Sequence, residues 1–274
     1  MPPGGGKRDP MKRPKLIVSD IDGTLIPYGQ SALPKEAFSL IRRLSAAGIL
    51  FCPASGRQYH SLRRLFASIA DEICFLCANG AVIFGAGGEE TAPVLSKTAM
   101  PRRDAEAVAL DILSIPSIEV VISGQNISYL LHASATLLHD LQCRLHNRVA
   151  AIESPAEIGE EIIKVSAFCP NGVEEPLALL APRWGSRYGA AVAGPHWIDF
   201  TLADKGDGLR RLCAALEIDP AEVWAFGDNY NDVPMLELAG TPWLMRSAGE
   251  ALRKRFPRQC DSVITELSRL LAAI

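Results

Sequence analysis

The sequence of 274 residues has no strong charge of either sign: 28 Lys and Arg against 31 Asp and Glu give a formal net charge of −3. A near-neutral chain has no electrostatic footprint for nucleic acid or an anionic membrane. The basic pairs Arg42-Arg43, Arg63-Arg64 and Arg210-Arg211 fall between apolar positions in helical patterns and read as solvated faces. No apolar run is long enough to span a bilayer. The N-terminus lacks the apolar core of a signal peptide. Residues 1–14 are therefore expected to be a disordered leader, and the cytoplasm is the expected location. There is no internal repeat. Seven scattered cysteines do not suggest a disulfide framework and read as reduced thiols. Cys74 and Cys77 form a lone C-x-x-C in an apolar run, where strand positions three apart point to opposite faces. They read as buried small hydrophobes. The five histidines include no H-E-x-x-H, and His139 and His146 read as polar positions on one helix.

What is present is a globular composition, 48% hydrophobic and 22% charged, long enough for one large domain or two ordinary ones. Residues 16–18 form a short apolar run that predicts a buried strand. A helix from Pro34 presents Ala37, Leu40, Ile41 and Leu44 and stops at Gly48. A strand over 49–54, a helix carrying Tyr59, Leu62, Leu65, Phe66 and Ile69, and a strand over 73–77 follow. Strands alternating with helices predict a parallel sheet with covering helices, and right-handed crossovers bring the strand C-termini to one edge. From about Ala81 the pattern changes to hairpins (81–84 with 93–95, 118–122 with 127–131) and helices (102–113, 134–147, 174–180). Strands are predicted at 162–168, 188–192 and 197–200. The first style returns at Lys205, with a helix to Leu216, a strand over 222–226, a helix over 233–238, a segment 242–245, a helix over 248–256, a strand at 262–264 and a terminal helix. The expected fold is α/β: a Rossmann-like, doubly wound parallel sheet built from 15–84 and 191–274, with an α+β domain inserted over 85–190.

The first strand ends in Asp20-Ile21-Asp22-Gly23-Thr24. Two carboxylates at a strand's end resist joint ionisation, and a bound cation removes that cost. Gly227-Asp228 and Asn231-Asp232 again place carboxylates after an apolar strand. If the two strands are neighbours, Asp228 faces Asp20 and Asp22. Oxygen ligands and waters suit Mg²⁺ beside a substrate phosphate. A Ca²⁺ loop of the EF-hand type does not match, since Gly23 comes too early. Phosphoryl transfer then asks for a nucleophile, a proton donor, a lysine and a hydroxyl. Open parallel sheets bind ligands at the edge where these residues converge.

These motifs resemble the haloacid dehalogenase superfamily of phosphohydrolases. The resemblance rests on Asp20 to Thr24, on Ser55-Gly56-Arg57, on Lys205 and on the run from Gly227 to Asp232, in that order. The long insert, and the Asn79-Gly80-Ala81 step before it, are similar to the Cof-type subfamily with its α/β cap. The resemblance implies that Asp20 is the nucleophile and a Mg²⁺ ligand. It implies that Asp22 is the general acid and base, with its backbone carbonyl on the metal, and that Asp228 completes the protein ligands. Ser55, the amides of Gly56 and Ile21, Lys205 and Asn231 would bind phosphate. Asp232 would support the site by holding Lys205 or a metal water, and Thr24 would cap the turn or bond the nucleophile. Arg57 would reach substrate or pair with a nearby carboxylate. The insert would act as a lid. Trp184, Tyr188, His196 and Trp197 near its far boundary are conceivable substrate contacts, with packing the expected role of the aromatics.

The expected activity is Mg²⁺-dependent hydrolysis of small phosphorylated metabolites, sugar phosphates among them, through an aspartyl-phosphate. A sugar phosphomutase using the same site and a non-catalytic phosphate-binding protein are the alternatives. No nucleic-acid or membrane partner is expected, and oligomeric state is not legible.

Overall fold

The computed structural model describes residues 13–30 and 32–274. The leader expected over 1–14 lies, up to residue 12, outside the described residues. In chain order the elements begin with β1 (Leu16–Ser19), α1 (Lys35–Ala46), β2 (Leu50–Pro53), α2 (Tyr59–Leu65), β3 (Phe75–Cys77), β4 (Val82–Phe84) and β5 (Val94–Lys97). Next come α3 (Arg102–Leu113), β6 (Glu119–Ser123), β7 (Ser128–Leu131), α4 (Ala135–His139), β8 (Val149–Ile152), β9 (Lys164–Phe168), α5 (Glu174–Tyr188), β10 (Ala191–Val192) and β11 (Trp197–Phe200). The chain closes with α6 (Lys205–Ala215), β12 (Val223–Gly227), α7 (Val233–Leu238), β13 (Thr241–Met245), α8 (Glu250–Arg255), β14 (Gln259–Cys260) and α9 (Val263–Ala273).

The first sheet is parallel, in the order β14-β13-β12-β1-β2. β1 and β12 are buried at every position. That explains their uninterrupted apolar runs, because helices cover both faces of a parallel sheet. Alternate residues divide between two cores. Ile17, Phe51, Trp224 and Phe226 join Leu40 and Ile41 of α1 and Leu267 of α9. Leu16, Val18, Cys52, Val223 and Ala225 join Leu209 of α6, Leu236 of α7 and Leu252 of α8. The sheet is thus doubly wound. A single parallel bridge, Ala54 to Leu76, sets β3 beside β2. β3, β4 and β5 then continue as an antiparallel meander.

The second sheet has the order β10-β11-β9-β6-β7-β8. α3 and α5 cover one face through Val108, Ile112, Leu180 and Trp184. On the other face, Leu137 of α4 and Leu141 pack on Val121, Leu130 and Phe168. Hydrogen bonding puts 191–200 in this sheet, since β11 pairs with β9. The sequence pattern assigns these strands to the core, over 191–274, whereas their hydrogen bonds join them to this second sheet. β5 pairs with β4, as the hairpin expected between 81–84 and 93–95 requires.

Four local expectations are corrected. The helix expected to end at Leu180 runs through Pro182 to Tyr188, so 188–190 is not strand. Leu180, Trp184 and Tyr188 fall four apart on its buried face, and that packing outweighs the proline's lost amide. Trp184 Nε1 also donates to Asp111 at 2.7 Å. The helix expected over 134–147 is α4 followed by a π-helical turn, Asp140–Arg144. The strand expected at 262–264 is the start of α9, where Ser262 Oγ accepts from Thr265 N. The neighbouring strand is β14. Finally β8, which pairs in parallel with β7, has no counterpart in the sequence pattern. Its two alanines give it little strand signal.

Candidate active site

The C-terminal edge of the parallel sheet gathers the acidic motifs. Asp20 N donates to Phe226 O at 2.9 Å, continuing the ladder between β1 and β12 one residue past β1. Asp228 follows β12 directly. Lys205 opens α6, whose N-cap is Asp204, with Oδ1 accepting from Asp207 N at 2.8 Å. The register of three separate segments therefore sets the site.

Lys205 is fully buried and makes two ion pairs, to Asp20 Oδ1 at 2.5 Å and to Asp232 Oδ1 at 2.6 Å. Asp232 Oδ2 accepts from the amides of Asp228 at 2.9 Å and Asn229 at 3.1 Å. Gly227 permits this fold-back, because a Cβ there would lie 2.5 Å from Asp232 Cβ. Asp228 Oδ1 accepts from Thr24 Oγ1 at 3.0 Å, and its Oδ2 accepts from the Tyr28 hydroxyl. Carboxylate oxygens of Asp20, Asp228 and Asp232 lie within 4.8 Å of one another.

Fully ionised, three carboxylates and one ammonium would leave two negative charges in excess. Burial, followed by the Asp232 charge, pushes Asp20 up to about 8, against the opposing pull of Lys205. Burial also raises Asp228, while the Tyr28 and Thr24 hydroxyls hold it down. Burial alone would lower Lys205, but Asp20 and Asp232 outweigh it and the ammonium is held above its ordinary range. Tyr28 is raised mainly by its bond to Asp228, so its phenol stays a donor.

A hard divalent cation fits this set. The donors are all oxygens, the excess charge of the fully ionised set is two, and among the described residues Asp20 Oδ2 is buried with no hydrogen-bond partner. Of the residues expected on a metal, Asp20 and Asp228 are in the group. Asp22, expected to offer its backbone carbonyl, has its carboxylate outside the group; Asp232, expected to hold Lys205, does hold it and lies in the group as well. Asp22 is 58% exposed and bound in two places by Arg57, Nε at 2.9 Å and Nη2 at 2.7 Å.

Ser55 follows β2 and is buried, its Oγ accepting from Arg57 N at 3.2 Å. Its loop is braced from behind: Ala78 N donates to Arg57 O, and Asn79 N to Ser55 O, both at 3.0 Å. Asn79 holds a left-handed conformation (φ 54°, ψ 36°), and its side chain backs Gly56. Ile21 is buried beneath the turn, where Ile26 N donates to Ile21 O at 2.8 Å. Asn231 is exposed in the loop after β12. Trp184 and Tyr188 pack inside the insert, on the face of its sheet away from α4. His196 meets Phe168 edge-on and Trp197 packs against it at a tilt.

Tyr28 and Asn79 were not among the expected site residues. Tyr28 stands in a short polar loop with no periodic pattern to single it out. Asn79 carried a weak signal, an Asn-Gly step straight after a buried strand.

Comparison with known proteins bears on the whole chain. The chain is 29% identical over 244 residues to the Escherichia coli 5-amino-6-(5-phospho-D-ribitylamino)uracil phosphatase YbjI, covering 87% of each protein. It is 25% identical over 266 residues to the Bacillus subtilis phosphatase YwtE of the same description, covering 88% of this chain and 91% of that one. A crystal structure of an Eubacterium rectale protein superposes with a TM-score of 0.80 at 27% identity, covering 95% of this chain and 99% of that one. The subclass IIB sugar phosphatase BT4131 shares the fold, with a TM-score of 0.76 at 21% identity over 93% of this chain and 98% of that one. The family profile of the haloacid dehalogenase-like hydrolases matches residues 17–264. The chain belongs to that family, as one of its phosphoric monoester hydrolases.

Proposed function

We propose that the protein is a Mg²⁺-dependent phosphatase that hydrolyses small phosphorylated metabolites through an aspartyl-phosphate on Asp20. One observation carries this reading: among the described residues Asp20 Oδ2 is buried and unpartnered while Oδ1 is held by Lys205. A carboxylate fixed by one oxygen and free at the other is placed to attack. Asp20 and Asp228, with Asp232 nearby, would hold the cation. Mg²⁺ when bound would offset the negative charge of the phosphoryl oxygens and of the carboxylates.

In the first half-reaction Asp20 Oδ2 bonds to phosphorus and the bond from phosphorus to the ester oxygen breaks. Asp22 gives its proton to the leaving alkoxide. In the second, Asp22 takes a proton from water, whose oxygen bonds to phosphorus as the bond to Asp20 breaks. Phosphate leaves and both carboxylates are restored. Arg57 holds the largely exposed Asp22 carboxylate through its guanidinium. Lys205, Ser55, Asn231 and the amides of Ile21 and Gly56 would hold the phosphoryl oxygens.

The names of the relatives support a phosphoryl group on a polyhydroxylated chain, a sugar or sugar alcohol, as the substrate class. They favour hydrolysis over transfer to a second sugar hydroxyl. A phosphate-release screen over a panel of phosphorylated metabolites, with Mg²⁺ and with EDTA, tests both points. Phosphate should appear only with Mg²⁺, and Asp20→Asn should abolish it. Undiminished turnover by Asp20→Asn sinks the nucleophile, and an isomerised ester without free phosphate indicates a mutase.

A further inference from the structure

One contact between the first domain and the insert has no part in the chemistry above. Gln58 follows Arg57 and occupies the N-cap position of α2. That position favours short side chains that bond the first helical amides. Gln58 makes no such bond. Its side-chain amide closes instead on the backbone of Arg148 in the insert. Oε1 accepts from Arg148 N at 2.8 Å, and Nε2 donates to Arg148 O at 3.1 Å. This is how one more strand would pair, made here by a side chain. Nε2 also reaches Ser128 Oγ at 3.2 Å, and Ser128 N donates to the same Arg148 carbonyl at 2.9 Å. Gln58 thus grips the point where β7 and β8 meet.

Neighbouring contacts follow the same seam. His60 N donates to Asn126 Oδ1 at 2.8 Å, in the turn between β6 and β7. The Arg148 guanidinium lies 3.0 Å from Glu89 and 3.0 Å from Glu90, in the loop between β4 and β5. Those ion pairs are partly exposed and contribute little. The amide clasp is half-buried and fixes a peptide unit in one register.

We propose that Gln58 is a positioning residue that couples phosphate binding in the 55–57 loop to the seating of the insert over the site. The covalent path is short. Gln58 is three residues from Ser55 and adjacent to Arg57, whose guanidinium holds Asp22. The carbonyls of Ser55 and Arg57 are both held on the 78–79 backbone, so Ser55, Arg57 and Gln58 belong to one braced segment. On the other side, Arg148 lies just beyond the π-helical turn that ends at Arg144. Arg144 itself pairs with Asp140 within that turn. A side chain that senses the loop and grips the insert makes lid closure depend on an occupied loop. This coupling rests on Ser55 and Gly56 holding phosphate, as proposed above.

Amide hydrogen exchange on the full chain tests it in two steps. Without ligand, Gln58→Ala should speed exchange at the Arg148 amide by about tenfold, while β1 and β12 keep their protection. Gln58→Glu keeps the acceptor and loses the donor, and should fall between. Unchanged exchange at Arg148 overturns the clasp. With Mg²⁺ and orthovanadate, the wild-type chain should gain protection over 146–150. Gln58→Ala should bind orthovanadate within a few-fold of wild type and gain none. Protection that survives in Gln58→Ala, or that never develops in the wild type, overturns the coupling. A wild type that releases phosphate yet shows no protection keeps the phosphatase and loses the coupling. One that neither binds orthovanadate nor releases phosphate loses both.

Discussion

Replacing Lys205 with Met tests the electrostatic design of the site directly. Methionine keeps most of the stem's volume and removes the ammonium. Lys205 has no solvent exposure and ties Asp20 at 2.5 Å to Asp232 at 2.6 Å. Each is a bond between charged groups, worth roughly 1.5–3 kcal/mol. Removing one partner of a buried pair typically costs about 3–5 kcal/mol, because the charge left behind is unpaired. Here two carboxylates are stranded, so we expect a loss of about 4 kcal/mol at pH 8 in EDTA. Urea unfolding should show a lower midpoint with an unchanged slope. At pH 5 the loss should shrink, because Asp20 then carries a proton and one stranded charge is gone. Adding Asp232→Asn should recover part of the loss, since the two positions share one network. A cost below about 1 kcal/mol at pH 8, or strict additivity of the two substitutions, would refute the account.

Two further outcomes follow from the same geometry. Asp20 is raised from its ordinary 3.8 to about 8 on folding, so the folded chain binds that proton more tightly than the unfolded one. Its stabilising contribution is complete below pH 3.8 and is lost as pH rises through 8. Mg²⁺ replaces the lost proton, so the gain in Tm on adding Mg²⁺ should grow between pH 5 and pH 8. Equal gains at both pH values would contradict the cation's place among these carboxylates. Gly23→Ala forces a Cβ to 2.6 Å from Asp228 Oδ2 and 2.7 Å from Tyr28 Cζ, at a φ of +93°. Mg²⁺ affinity measured by calorimetry should fall at least tenfold, at a stability cost of about 1–3 kcal/mol; wild-type affinity would show that the Tyr28–Asp228 contact is not needed.

The parallel sheet was legible because its strands are buried on both faces. Burial on both sides turns strands such as 223–227 into unbroken apolar runs, and each ends in a polar motif. The insert was read less well. Its elements are shorter and amphipathic, and its pairings cross long stretches of chain. β8 has too little apolar signal, α5 continues past a proline because of packing, and 197–200 belongs to the second sheet through β9. None of these is a local property.

At the site, the motifs and their resemblance to a phosphohydrolase family named Asp20, Lys205, Asp228 and Asp232, and the fold brings these four together. Phosphoryl chemistry needs those functional groups, and they stand at strand and helix ends. Only the tertiary structure decided which carboxylates meet. Asp20 and Asp22 are neighbours in sequence, yet the turn after β1 sends one inward to Lys205 and the other outward to Arg57. Asp232 and Tyr28, from opposite ends of the chain, come in to complete the cluster. Sequence order determines what chemistry is available. The twist and register of a folded sheet determine which side chains share a few cubic ångströms, and at that range charge decides what the site can hold.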